Sequence, residues 1–466
     1  MGYNFVVEDH DQLFLMPPSI TDWLPEDDLA SFFVLDAVEE MDLTGFYADY
    51  RADGWGGAAR HPETMVALLL YAYCTGLVSS RKIERACYVD VAFRVVCGNV
   101  APDHTTIARF RARHETALKS LFTASLRLCA TAGMTSVGLV AVDGTKMASP
   151  ASMARNRTKD SIDKAVDEMF AEAQAADAAE DAEHGPDRGD ESPAVLRGRA
   201  DRQRRFKAAK QRLDAELEAE RAAHAEHLAK RAAEEAQRGS KLRGRKPKAP
   251  ADKAGHKQKK VNTTDPESGV MSTAKGFVQG YNAQAVANDE QVVVSAEVTD
   301  EHNDSGQLHP MIEATNASLA GAWIDQRPEQ LLADAGYASE ENFAALDAED
   351  PDCYIATRNM KKNPTPRTGR RGPLKKDATL TDRMDRKVST KKGNALYRQR
   401  QQIIEPVFGQ IKQARGIRGF SRRGKAAADS EWKLICGTHN LLKLYRRVLA
   451  DPSAAPYSRI GAPATA

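Results

Sequence analysis

Asp143, Asp334 and Glu405 are the residues whose type and setting point to chemistry. Asp143 closes the apolar run Gly138 to Val142 in LVAVDGTKM, and Asp334 closes Gln330 to Ala333 in QLLADAGYA. A glycine follows each within two residues, so each reads as a buried strand delivering one carboxylate to the C-terminal edge of a sheet. Glu405 lies in RQRQQIIEPVFGQIK, a predicted helix whose other charged positions, Arg398, Arg400, Lys412 and Arg415, are all basic. Carboxylates scattered in sequence but meeting at one sheet edge supply the hard oxygens that two divalent ions about 3.5–4 Å apart need. Such a pair of Mg2+ or Mn2+ ions activates an attacking water and stabilises a leaving oxygen at phosphorus.

Each acid alone has an ordinary reading. Asp-Gly is common in turns, and a lone helix glutamate belongs on a surface. Their joint appearance on the right elements, in the right order, favours the metal site. Other acids compete: Asp265, Glu297, Asp300, Glu301 and Asp304 cluster around two predicted strands. Asp300 and Asp304 read better as caps of a helix opening at Ser305. His302 and His309 lack zinc-ligand spacing, and His439 and Asn440 sit in an apolar helix as packed groups. Trp323 and Trp432 read as core aromatics, with stacking on an extruded base as the alternative.

Net charge is +1, from 66 basic and 65 acidic residues, but the charge is segregated. Residues 163 to 191 are mostly acidic. Residues 238 to 260 and 361 to 400 are strongly basic, and 412 to 425 contain no acid. Segregation of this kind favours a polyanionic partner. Six cysteines without a CxxC pair read as buried thiols of a reducing cytoplasm. No apolar stretch approaches the length of a membrane span.

Residues 1 to 135 read as an all-helical domain. Its third helix opens at Asp103 and carries Arg109, Arg111 and Arg113, which suits a helix-turn-helix that contacts DNA. A bundle with a solvated basic face is the plainer reading. The strand of Asp143 (136 to 150) is followed by a charged insertion, 151 to 261, read as a helical hairpin or loose coiled coil with a basic return, or as a disordered spacer. Strands and helices resume over 262 to 450 in the order β, β, α, β, α, β, α, with the last helix carrying Glu405. This is an α/β chain: a mixed-sheet core split by a helical insertion. Residues 358 to 396 read as a long basic loop, and 451 to 466 as a disordered tail.

The chain resembles a bacterial insertion-sequence transposase of the DDE class. The matching blocks are Asp143-Gly144-Thr145-Lys146, Asp334-Ala335-Gly336-Tyr337, and Tyr397, Arg400, Glu405 and Lys412. Four residues, rather than the family's three, separate Arg400 from Glu405. DWLPEDDL and the stretch LLLYAY…SSRKIERAC…PDHTTIARFR resemble the family's N-terminal domain. The resemblance implies a ribonuclease-H-like core in which Asp143, Asp334 and Glu405 hold two Mg2+ or Mn2+ ions. It implies cleavage and strand transfer of double-stranded DNA, at the element's terminal repeats and at a target, by a homodimer or larger assembly on the nucleoid. Lys146, Arg400, Lys412 and Arg415 would join Arg109, Arg111 and Arg113 at DNA. A structure-selective nuclease on the same fold and a non-enzymatic, transposase-derived regulator are the alternatives.

Overall fold

Proline at the first helical position and an unbroken apolar run start the third helix of the chain, and the helical domain is built around it. Helices α1 (Leu35–Glu39), α2 (Thr44–Tyr47), α3 (Pro62–Cys74), α4 (Ser80–Val89), α5 (Val91–Val96), α6 (His104–Arg113) and α7 (Glu115–Thr131) follow one another in the computed structural model. The structure describes residues 19–25, 27–29, 33–50, 59–168, 194–241, 249, 260–273, 276–347, 349–358 and 372–456. Met65 through Cys74 are all buried, as expected of a central helix apolar on every side. Gly76 ends that turn at φ +85°, where a Cβ would strike the carbonyl of Arg415. Asp90 and Asp103 cap α5 and α6 through the backbone amides of Phe93, Thr105 and Thr106.

The strands are β1 (Leu139–Ala148), β2 (Asn156–Thr158), β3 (Lys260–Asn262), β4 (Gly269–Thr273), β5 (Gly276–Asn288), β6 (Val293–Thr299), β7 (Gln330–Ala333) and β8 (Asp352–Ile355). In the main sheet β6 pairs with β5, β5 with β1, β1 with β7 and β7 with β8, while β4 joins the early part of β5. The first two pairings are antiparallel and the next two parallel. An all-helical region before an open mixed sheet of this order is a ribonuclease-H-like architecture with a helical N-terminal domain.

The insertion leaves after β1 and returns at β3, and β2 and β3 close its root as an antiparallel pair. Backbone over 159–168 is helical (α8), and α9 (Ala194–Arg238) is one helix of 45 residues. Ile162, Ala209, Leu213 and Val261 form a small core of their own. Beyond Leu213 no residue of α9 is buried, and pairs such as Lys230–Glu226 and Arg231–Glu235 support its surface. The break at 184–193, most of the acidic block and nearly all of the basic return lie outside the described residues, as does the tail from 457.

The expected long basic loop is partly helix. Residues 359–371 lie outside the described residues, but α12 (Leu380–Ser389) and α13 (Lys391–Arg398) follow. Thr379 and Asp382 form a capping box, and Met384 and Val388, one turn apart, are buried. The helix of Glu405 is also broken. It comprises α14 (Arg400–Ile403), α15 (Glu405–Gly409) and a π turn over Gln410–Ala414, because Pro406 cannot donate into a continuous ladder. The last helix, α16 (Lys425–Ala450), packs against α3, α7 and β6.

Candidate active site

Strand register brings the first two acids together. β1 and β7 pair in parallel from Leu139 opposite Gln330 to Ala141 opposite Leu332. Asp143 lies two residues past Ala141 and Asp334 two past Leu332, so both stand just beyond the paired stretch, Asp334 capping the turn that follows β7. The apolar run of the first strand ends at Val142, but the strand does not. It runs on to Ala148 because β5 continues to pair with it, so the sheet opens at Asp143 only on the β7 side.

Arg400 joins the third acid to the first. Its Nη2 lies 2.7 Å from Asp143 Oδ2, and its Nη1 lies 3.9 Å from Glu405 Oε1. The Asp143 and Arg400 side chains are 17% and 11% exposed, whereas Glu405 is 47% exposed. Burial pushes the Asp143 carboxyl up to about 6; Arg400 opposes the rise, and Asp334 and Asp304 add to it. Burial works against the Arg400 charge, but Asp143, Tyr397, Asp334 and Glu405 outweigh it and hold the guanidinium above its ordinary value.

Asp304 stands closer to this group than its sequence reading as a helix cap. The following helix, α10 (Leu308–Gly321), has Gln307 at its N-cap with no side-chain cap. The Asp304 Oδ1 instead accepts from Asn282 Nδ2 at 2.7 Å and Gln284 Nε2 at 2.8 Å. Gly144 makes room: a Cβ there would lie 2.5 Å from Asp304 Oδ1 and would collide with Gln284. Tyr337 is buried and donates its hydroxyl to Gln284 Oε1. Asp300 is not at the site; it pairs with Arg212 of the insertion and with Lys425.

The lysines hold the far side. Lys412 Nζ donates to Thr145 Oγ1 at 2.6 Å and to the Lys146 carbonyl at 2.7 Å, and burial pulls its pKa down to about 8. Lys146 Nζ lies 3.7 Å from Asp304 Oδ1. The Lys412 ammonium thus leans on β1, and the Lys146 ammonium faces Asp304.

The remaining expected DNA contacts separate. Arg109 is exposed and lines an open cleft of about 780 Å³ with Arg81, His104 and Arg422. Arg113 is exposed but engaged, paired with Asp49 and stacked 4.8 Å over Tyr50. Arg111 and Arg415 are buried, which corrects their reading as surface contacts. Arg111 donates to Tyr73 Oη at 2.9 Å, to the Val78 carbonyl at 2.8 Å and to Ser80 and Ser421. Arg415 donates to the carbonyls of Tyr73 and Ile435 and to Thr438 Oγ1. Trp432 is a core residue as expected, but Trp323 is 80% exposed and lies under the Arg127 guanidinium. His439 and Asn440 are packed, and all six cysteines are buried thiols.

Among the described residues no three His, Cys, Asp or Glu side chains converge tightly enough to share one ion. The donor chemistry nevertheless fits a divalent cation. Asp143 is raised partly by its repulsion with Asp334 and Asp304, and a hard cation relieves that repulsion where one arginine does so incompletely.

The order of the sheet and the helices before it thus define a ribonuclease-H-like protein with a helical front domain. Residues 19–113 match the family model of a transposase domain (DUF772), and residues 240–441 match that of a transposase DDE domain, together more than half of the chain. The chain belongs to the DDE transposases of insertion sequences. Asp334 and Glu405 fall inside the second match; Asp143 precedes it, on the other side of the insertion. No curated protein and no solved structure matches the chain. Among the described residues no helix is long and apolar enough to cross a membrane.

Proposed function

We propose that this transposase cuts the ends of its own element and joins them to target DNA by in-line attack on phosphorus. The observation that carries the reading is the Arg400 bridge from Asp143 to Glu405, beside Asp334, which gathers distant acids at one sheet edge. Asp143, Asp334 and Glu405 would hold two Mg2+ or Mn2+ ions, which when bound activate the attacking oxygen and stabilise the leaving one. Asp143, with its carboxyl near 6, is mostly ionised at neutral pH and ready to ligate. Lys146 and Lys412 set positive charge beside the acids, where a phosphate would lie. Water attacks first and the freed 3′-hydroxyl second, so no side chain is needed as a covalent nucleophile. Arg109, midway along α6, faces the duplex with Arg81 and Arg422 beside it in the cleft. Acting on two ends together calls for a dimer or larger assembly on double-stranded DNA, located with the nucleoid in the cytoplasm.

The test uses duplexes carrying the DNA that flanks the gene, with Mn2+. Asp143→Asn, Asp334→Asn and Glu405→Gln should each abolish cleavage and still bind the duplex. Cleavage at the wild-type rate in all three would overturn the assignment. Joining of pre-cut ends to a second duplex separates a transposase from a nuclease that cuts without joining.

A further inference from the structure

A second cleft opens where the insertion leaves the sheet, beyond the end of β1. It is a cavity of about 610 Å³ lined by Arg155, Arg202, Arg205 and Arg423, and no carboxylate lines it. Cations elsewhere on this seam have acid partners: Lys159 has Asp214, Lys210 has Asp163 at 2.6 Å, and Arg212 and Lys425 share Asp300. Among the described residues Arg155, Arg202 and Arg423 form no ion pair with a carboxylate, and all three are exposed.

The platform under these arginines is fixed. Thr263 donates its amide (3.1 Å) and its hydroxyl (3.2 Å) to the Arg155 carbonyl, and Arg423 Nε donates to the Pro150 carbonyl at 3.2 Å. Phe206 packs on the small core of the insertion and carries the Arg202 guanidinium 5.7 Å from its ring centre. Arg155, Arg202 and Arg423, three like charges around one concavity, repel one another unless an anion sits among them. Guanidinium forks match phosphate oxygens in pairs, and the hydroxyls of Ser152 and Thr264 add neutral donors at the rim.

We propose that this cleft binds the sugar–phosphate backbone of duplex DNA, as a contact surface separate from both the acids and α6. The proposal rests on the transposase reading, which supplies the DNA. β1 extends from Asp143 to Ala148, roughly 17 Å of strand, and the cleft lies just past that end. A duplex held at the acids would span that distance with about five phosphates of one strand.

The experiment measures binding alone, in EDTA, with a fluorescent duplex of arbitrary sequence about three helical turns long. Wild type is compared with the R155Q/R202Q/R423Q variant across a sodium chloride series. The slope of log K against log salt should fall by about 2 to 3, since each lost phosphate contact is worth roughly 0.9. The corresponding triple lysine variant should keep most of the slope. An unchanged slope in the glutamine variant overturns the cleft. A readout on the unaltered protein guards against misfolding: the duplex should protect Arg155, Arg202 and Arg423 from phenylglyoxal, scored by mass spectrometry. Equal modification with and without duplex also overturns the proposal. Failure of the wild type to bind any duplex sinks the functional reading itself, and with it this one.

Discussion

Arg400 and Asp143 form a nearly buried ion pair, Nη2 to Oδ2 at 2.7 Å, across 257 residues of chain. The same guanidinium reaches the more exposed Glu405, so one arginine organises the first and third acids. It does not fully compensate the burial of Asp143, whose carboxyl still stands at about 6.

Arg400→Ala should therefore move the titration of Asp143 upward. We expect the rising limb of the pH–rate profile for Mn2+-dependent cleavage to shift to higher pH by about one unit or more. Arg400→Lys, a single charge without the fork, should fall between the two. Coincident profiles for wild type and the alanine variant would count against this role.

Asp304→Asn should shift the same profile the opposite way, because it removes a like charge from the neighbourhood of Asp143. Asp304→Ala should also destabilise the fold by about 1–3 kcal/mol, since the Asn282 and Gln284 amides lose their shared acceptor. Urea unfolding distinguishes the two substitutions. A shift to higher pH in the asparagine variant would show that Asp304 acts some other way.

The stability of the metal-free protein should depend on pH through Asp143. Its folded pKa of about 6 exceeds the ordinary 3.8, so between those values the folded chain holds a proton that the unfolded chain has lost. That contribution is complete below the ordinary value and is lost as pH rises through the folded one. Two units correspond to roughly 3 kcal/mol as an upper limit. In EDTA, Asp143→Asn should be the more stable protein at about pH 8 and nearly equal to wild type at about pH 4. The reverse order at the higher pH would refute the shift.

Arg111 and Arg109 lie two residues apart on α6 and should behave oppositely. Arg111→Ala strands Tyr73 and the groups around it, and a cost of about 3 kcal/mol or more is expected. Arg109→Ala should leave the melting temperature unchanged and weaken binding to duplex DNA. Thermal melts and fluorescence anisotropy on both variants check the pair; an equal loss of binding without a loss of stability would place both at DNA.

Local pattern carried the acids. An apolar run meeting Asp and Gly is visible over a few residues, and the strand order followed from the same periodicity. Nothing local separates Arg111 and Arg415 from Arg109, although both are buried. What buries them is Tyr73, Ser421 and Thr438, residues close only in the fold. Asp304 has a local signal: Asn282 and Gln284 alternate with Ala283 and Ala285, so one face of β5 needs a polar partner there. In α12 the basic composition masked Met384 and Val388, whose spacing of four marks a buried helical face.

Helix α16 lies against α3 and α7 on one side and β6 on the other, and one apolar core runs through both halves of the protein. The front helices and the sheet thus share a wall. On the proposed function, one stretch of duplex gripped and another cut, this frame would act as a caliper with one opening. The count of base pairs from the sequence held to the bond broken would then be set by the protein's own frame, and an element whose ends drifted by one base pair would present the wrong phosphate.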